Sequence, residues 1–216
     1  MLKMLNLFKY GLTALMMAFA MTLCYSCSSD DDEETNQEVN PPSNGESEIS
    51  GTINGHDYVV LAGYKWATEN VGQVNGVEAK TGPGANNNEW GCYLYTQDNA
   101  KKAAESWGGT WKLPTENQWK ALLNENYCTW TWTKGYSYGG KTMNGYIVSD
   151  KDDASKFIFL PAAGIYIYGH SGVYDQGNDG YYWSADNGRC LLFNDGNRRM
   201  YGSSPDNGLA VRPVAN

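Results

Sequence analysis

The sequence predicts an α+β domain: short antiparallel sheets, two helices and long loops, behind an export leader and a polar tether. Three observations lead there. The chain holds 25 glycines, 16 tyrosines and 8 tryptophans, a mixture that favours short strands and tight turns over a helix bundle. Two segments near the middle carry helical caps and periodicity. Seven strand-like segments lie before and after that pair, the order of an α+β domain rather than of a parallel α/β sheet.

In chain order, Lys3 and Lys9 open a basic start, and an uncharged apolar run from Gly11 to Leu23 follows. This is the layout of a signal peptide, and the run falls short of the ~20 apolar residues that span a bilayer. Ser26 and Cys27 end it in a loose lipobox, so residues 1–26 are expected to be a lipoprotein signal peptide and Cys27 the acylated residue, with Cys24 as the alternative acceptor. Stable anchoring takes more than one acyl chain, and a lipoprotein N-terminus carries two or three. Residues 27–49 hold eight acidic side chains and no Lys or Arg. Such a segment buries too little to offset its ordering entropy and should be a disordered tether, roughly 25 Å end to end as a flexible coil. The run Ser28-Ser29-Asp30-Asp31-Asp32 resembles the export signal that takes Bacteroidetes lipoproteins to the outer face of the outer membrane; a plain solvated spacer is the alternative.

The formal charge of −8 belongs to the tether, because residues 50–216 contain sixteen acidic and fourteen basic side chains. No basic stripe is present to hold phosphates, so nucleic acid is not an expected partner. Cys92, Cys128 and Cys190 make an odd count, which allows at most one internal disulfide and leaves its pairing open. About 165 residues suffice for one domain with a core of its own.

Within residues 50–216 two segments read as helices. Asp98 is placed to cap a run of helix formers reaching Trp107, and Gly108-Gly109 ends it. Thr115 and Gln118 have capping-box spacing, with Trp119, Leu122 and Leu123 on one face of the helix that follows. Strands are expected at Asp57 to Ala62, Gly145 to Val148, Lys156 to Leu160, Gly164 to Tyr168, Tyr181 to Ala185, Cys190 to Asn194 and Leu209 to Val214, from their β-branched and aromatic content and the Gly, Asn and Asp between them.

Six phrases occur in order: KWATENVG, GTWKLPTENQWKALL, CTWTWT, FIFLPAAG, GYYWSA and GLAVRPV. Together they resemble the Fibrobacter succinogenes major paralogous domain, common in Bacteroidetes surface lipoproteins, over nearly all of residues 57–214. The resemblance implies a C-type-lectin-like fold in which the first and last strands pair and a long loop-rich segment projects from a small sheet. It also implies core or hinge roles for Trp66, Trp111, Leu113, Trp119 and Trp183. Where relatives often carry Cys, this chain has Glu69, so a bridge from that position to Cys128 is not available.

Catalytic chemistry is sparse. His56 and His170 have no Cys or carboxylate at ligand spacing, so no metal site and no catalytic histidine is expected. No phosphate loop, dinucleotide fingerprint or nucleophile elbow occurs, and no cofactor is expected. The formylglycine-generating enzymes that share the fold use a reactive cysteine pair near the end of the domain, where this chain has only Cys190. Calcium-dependent lectins carry Glu-Pro-Asn or Gln-Pro-Asp, absent here, followed by Trp-Asn-Asp. Phe193-Asn194-Asp195 resembles the latter, but Asp195-Gly196 reads as a turn.

The loops between His170 and Ser204 remain as the candidate binding face, with Tyr174, Asp175, Asn178, Asp179, Asp186, Asn187, Arg198, Arg199 and Tyr201. Tyr, Asn and Gly offer flat contact area and adaptable hydrogen bonds. One of the arginines could grip a carboxylate on an acidic sugar or protein; the alternative is surface pairing of Arg198 and Arg199 with Asp186 or Asp195. The expectation is therefore a surface-anchored, non-enzymatic binding or adhesion lipoprotein, held to the membrane by its lipid, with an extracellular glycan or protein as ligand. A structural component of a surface assembly is the second reading, and a formylglycine-type oxidase the third.

Overall fold

The computed structural model describes residues 50–74, 77–78, 86–87, 93–138 and 140–216. The expected leader (1–26) and tether (27–49), with Cys24 and Cys27, and also Cys92, lie outside the described residues. The described elements are β1 (Ser50–Ile53), β2 (His56–Leu61), β3 (Tyr64–Ala67), β4 (Gln73–Val74), β5 (Val77–Glu78), β6 (Asn86–Asn87), β7 (Tyr93–Leu94), α1 (Gln97–Glu105), α2 (Glu116–Leu123), β8 (Cys128–Tyr138), β9 (Lys141–Asp150), β10 (Phe157–Pro161), β11 (Ile165–Tyr166), β12 (Val173–Tyr174), β13 (Asp179–Trp183), β14 (Arg189–Asn194), β15 (Asn197–Gly202) and β16 (Val214–Ala215). The chain is α+β, with its strands in small antiparallel sheets.

β1, β2, β3 and β16 form a four-stranded sheet in that order. Its first hairpin turns on Asn54 (φ 48°) and Gly55 (φ 84°), with Ile53 opposite His56. Two positive φ angles in a two-residue loop match the right-handed twist of the strands, and Asn-Gly supplies them at little steric cost. The last strand pairs with β3, Val214 opposite Trp66, so the expected pairing of first and last strands is corrected: β1 and β16 are the two edges of the sheet, and the expected strand at Asp57 to Ala62 lies between β1 and β3.

The expected strand from Leu209 to Val214 is corrected by the structure. This segment is a buried thread that changes partner at almost every step: Leu209 exchanges bonds with Tyr95, Ala210 lies between Tyr181 and Trp183, the Val211 carbonyl accepts from Val71, and the Pro213 carbonyl from Ala67. No partner stays long enough for a ladder, and Pro213 has no N–H to extend one. Arg212, wholly buried in this thread, explains the Arg of GLAVRPV. Its guanidinium donates to Asn70 Oδ1 (2.8 Å), the Ala67 carbonyl (2.9 Å), the Phe159 carbonyl (2.7 Å) and the Tyr138 hydroxyl (3.2 Å), tying β3, β8 and β10 together. The planar fork of five donors fits this task, and a lysine would not.

Two further three-stranded sheets, β10-β9-β8 and β13-β14-β15, carry most of the second half. The α1 cap is a second correction: Thr96, not Asp98, holds the N-cap position, and Asp98 lies in the first turn. α2 forms as expected. Gln118 N–H donates to Thr115 Oγ1 and Thr115 N–H to Gln118 Oε1, a complete capping box, with Trp119 and Leu122 buried and Leu123 half-buried.

All five expected core residues are buried. Their indoles also find acceptors: Trp66 at the Leu61 carbonyl, Trp111 at Ile53, Trp119 at Trp183 and Trp183 at Tyr95. Cys128 and Cys190 are buried free thiols, each pushed up to about 12 by burial.

Candidate binding cleft

A cleft of about 500 Å³ opens where the ends of the two three-stranded sheets meet, lined by Trp132, Lys134, Asn144, Gly177, Asn178, Asp179, Asn194 and Asp195. Three local features build it. β8 slips register against β9 between Thr133 and Tyr136, and this bulge aims Lys134 outward; bulges commonly re-aim a side chain in this way. The turn before β13 is held by Asn178 and Asp179 N–H groups donating to the Asp175 carbonyl (3.0 and 2.9 Å), with Asp175 in the left-handed region at φ 58°. The β14–β15 turn, Asp195-Gly196, sits where the sequence placed it, with Asn194 opposite Asn197.

Side chains lock these parts together. Asn144 Oδ1 accepts the Gly135 N–H of the bulge (3.1 Å), and its Nδ2 donates to the Gly177 carbonyl of the turn (3.0 Å). The Tyr146 hydroxyl donates to the Asn194 carbonyl (3.1 Å) and accepts the Gly196 N–H (3.2 Å). Behind the cleft Gly180 faces Phe193 across the strands, and a Cβ there would come within 2.1 Å of the ring. That glycine lets Phe193 lie flat against β13. The rigid frame therefore presents amides, carboxylates and an indole to solvent.

Electrostatically the cleft leans negative. Burial, and then the charge of Asp175, push the Asp179 carboxyl above its ordinary value, offset in part by hydrogen bonds from Tyr181 and Asn194 and by Arg199. Lys134 is 3.9 Å from Asp195, both side chains largely exposed. Trp132 packs edge-on against Tyr146 (5.1 Å) and Phe193 (6.4 Å), and its buried Nε1–H has no acceptor, which costs about 1–3 kcal/mol. Amides, carboxylates and an aromatic wall in a preformed concavity suit a hydroxyl-rich ligand.

The structure divides the nine residues expected to bind. Asn178 and Asp179 line the cleft, and Asp175 holds the turn beneath them. Tyr174 stands exposed on β12, its hydroxyl 3.4 Å from His170 Nδ1. Asp186 is structural: Oδ2 accepts the Glu116 N–H at the start of α2 (2.5 Å) and the Ser184 hydroxyl (2.9 Å). Asn187 is exposed in the turn beside it.

Arg198, Arg199 and Tyr201 are not on a loop but on β15. Arg198 pairs with Glu125 (2.6 Å) and lies over the Trp130 ring (5.8 Å); Arg199 lies over Tyr201 (5.5 Å). The expected partners Asp186 and Asp195 are engaged elsewhere.

Trp132, Lys134, Asn144, Asn194 and Asp195 were not expected as site residues. A usable signal existed in CTWTWTKG, where Thr and Trp alternate and put Trp130 and Trp132 on one face of a strand.

His56 and His170 stay apart. His56 stacks face to face on Trp107 at 3.7 Å, with Glu69 Oε1 3.5 Å from Nδ1. Among the described residues no group of three or more His, Cys, Asp and Glu is gathered to hold a metal ion, and no helix is long and apolar enough to cross a membrane. Comparison with models of protein families, with curated proteins and with solved structures gave no match.

Proposed function

We propose that this chain is a surface-displayed, lipid-anchored binding protein without enzymatic activity, and that the cleft between the β8–β10 and β13–β15 sheets takes a glycan. The observation that carries the reading is the cleft itself: a frame fixed by Asn144 and Tyr146 that turns Asn178, Asp179, Asp195 and Lys134 toward solvent beside an indole. Anchoring by acylated Cys27 and the acidic tether would place the domain outside the outer membrane. We read the arrangement as C-type-lectin-like. Support comes from the last strand joining the N-terminal sheet beside β3 and from the small sheets that carry long turns.

The test is a glycan array probed with the full chain in detergent. Wild type should retain a defined set of glycans, and Asn178→Ala combined with Asp179→Ala should lose them with the melting temperature nearly unchanged. An empty array, or hits that survive the double substitution, would refute the assignment. Cys27→Ala should in parallel move the protein out of the membrane fraction.

A further inference from the structure

We infer that the cleft selects neutral, hydroxyl-rich saccharides and rejects acidic ones, with Asp179 as the residue that sets this preference; the inference rests on the glycan-binding reading above. Two carboxylates line the cleft, and a third, Asp175, acts on Asp179 from the same turn. Against them stands one lining cation, Lys134, already within 3.9 Å of Asp195.

The two arginines of β15 do not correct the balance. Arg198 is held by Glu125 and Trp130. Arg199 alternates with it and, through Leu192 and Tyr181, shares the face that carries Asp179 and Asn194; it lies over Tyr201 outside the lining, and its pull on the Asp179 carboxyl comes after those of Tyr181 and Asn194 and leaves that carboxyl raised. A ligand carboxylate entering the cleft would meet like charge in a partly desolvated setting, where such repulsion is screened less than at an open surface. Sugar hydroxyls have the opposite fit. They donate to Asp179 and Asp195, and their oxygens accept from the Asn178 amide and from Lys134. The contact with an acidic sugar that the arginines suggested from sequence is thereby replaced by its reverse.

The experiment titrates the full chain in detergent with matched oligosaccharides, neutral hexose oligomers and their uronate counterparts on the same backbones, at low and at near-physiological salt. Neutral oligomers should bind at least tenfold more tightly than uronates at low salt. The gap should narrow as salt rises and the Debye length falls from roughly 30 Å at 0.01 M to about 8 Å at 0.15 M. Asp179→Asn, which keeps an acceptor oxygen but removes the charge, should close most of the gap. Uronates binding equally or better, or a gap unchanged in Asp179→Asn, would overturn the selectivity while leaving glycan binding intact. Binding of neither series would overturn both.

Discussion

Arg198 and Tyr201 lie on opposite faces of one strand. Within β15 they are an odd number of residues apart, Arg198 opposite Phe193 and Tyr201 opposite Cys190, so the pleat turns their side chains to different sides of the sheet. Neither lines the cleft. Arg198→Ala should therefore leave glycan affinity within twofold and lower stability by up to about 1 kcal/mol, the usual worth of an exposed ion pair or a cation–π contact. Tyr201→Ala should change neither. Titration and thermal melts check both variants, and loss of binding in either would move the site onto β15.

Glu116 and Arg189 join α2 to β14 by paired bonds of 2.9 and 3.0 Å, with Lys120 at 3.2 Å from the same carboxylate. The bond from Arg189, aided by Lys120, lowers the Glu116 carboxyl from 4.5 to about 2. A carboxyl lowered in the folded state adds stability that is present above its unfolded value near 4.5 and disappears as pH falls toward 2. Both side chains keep partial contact with solvent, which screens the pair and limits the effect. Denaturation curves from pH 6 to pH 2 should show that loss in wild type, and Glu116→Gln should remove this component of the slope. An unchanged pH dependence in the variant would show that the pair contributes nothing.

Trp119 is fully buried, 4.7 Å from the Trp66 ring and 6.0 Å from Tyr182. Trp119→Ala should cost about 3–5 kcal/mol in urea denaturation. A loss below about 1 kcal/mol would mean that the site collapses around the gap far better than its packing suggests.

Legibility in the sequence followed how local each determinant is. The α2 cap, the Asp195-Gly196 turn and the tryptophan core depend on near neighbours or on sheer apolar area, and they were readable. β15 was not: NRRMYG carries too little apolar alternation to show as a strand, and it owes its extension to the pairing with β14. The thread at 209–214 looked like a strand because it is apolar, while its hydrogen bonds go to many partners distant in sequence. Of the candidate cleft, only two lining residues were readable. Asn178 and Asp179 stood out in a polar loop, but Trp132 and Lys134 come from a hairpin some forty residues earlier, and only the docking of two sheets brings them there.

The most direct test of the cleft is hydrogen–deuterium exchange on the full chain in detergent, with and without a glycan retained on the array. Protection should concentrate at residues 132–135, 175–179 and 194–196, the three segments that wall the cleft. Protection confined to the β11–β12 hairpin or to the β1–β3 sheet, with those three segments unchanged, would contradict the assignment.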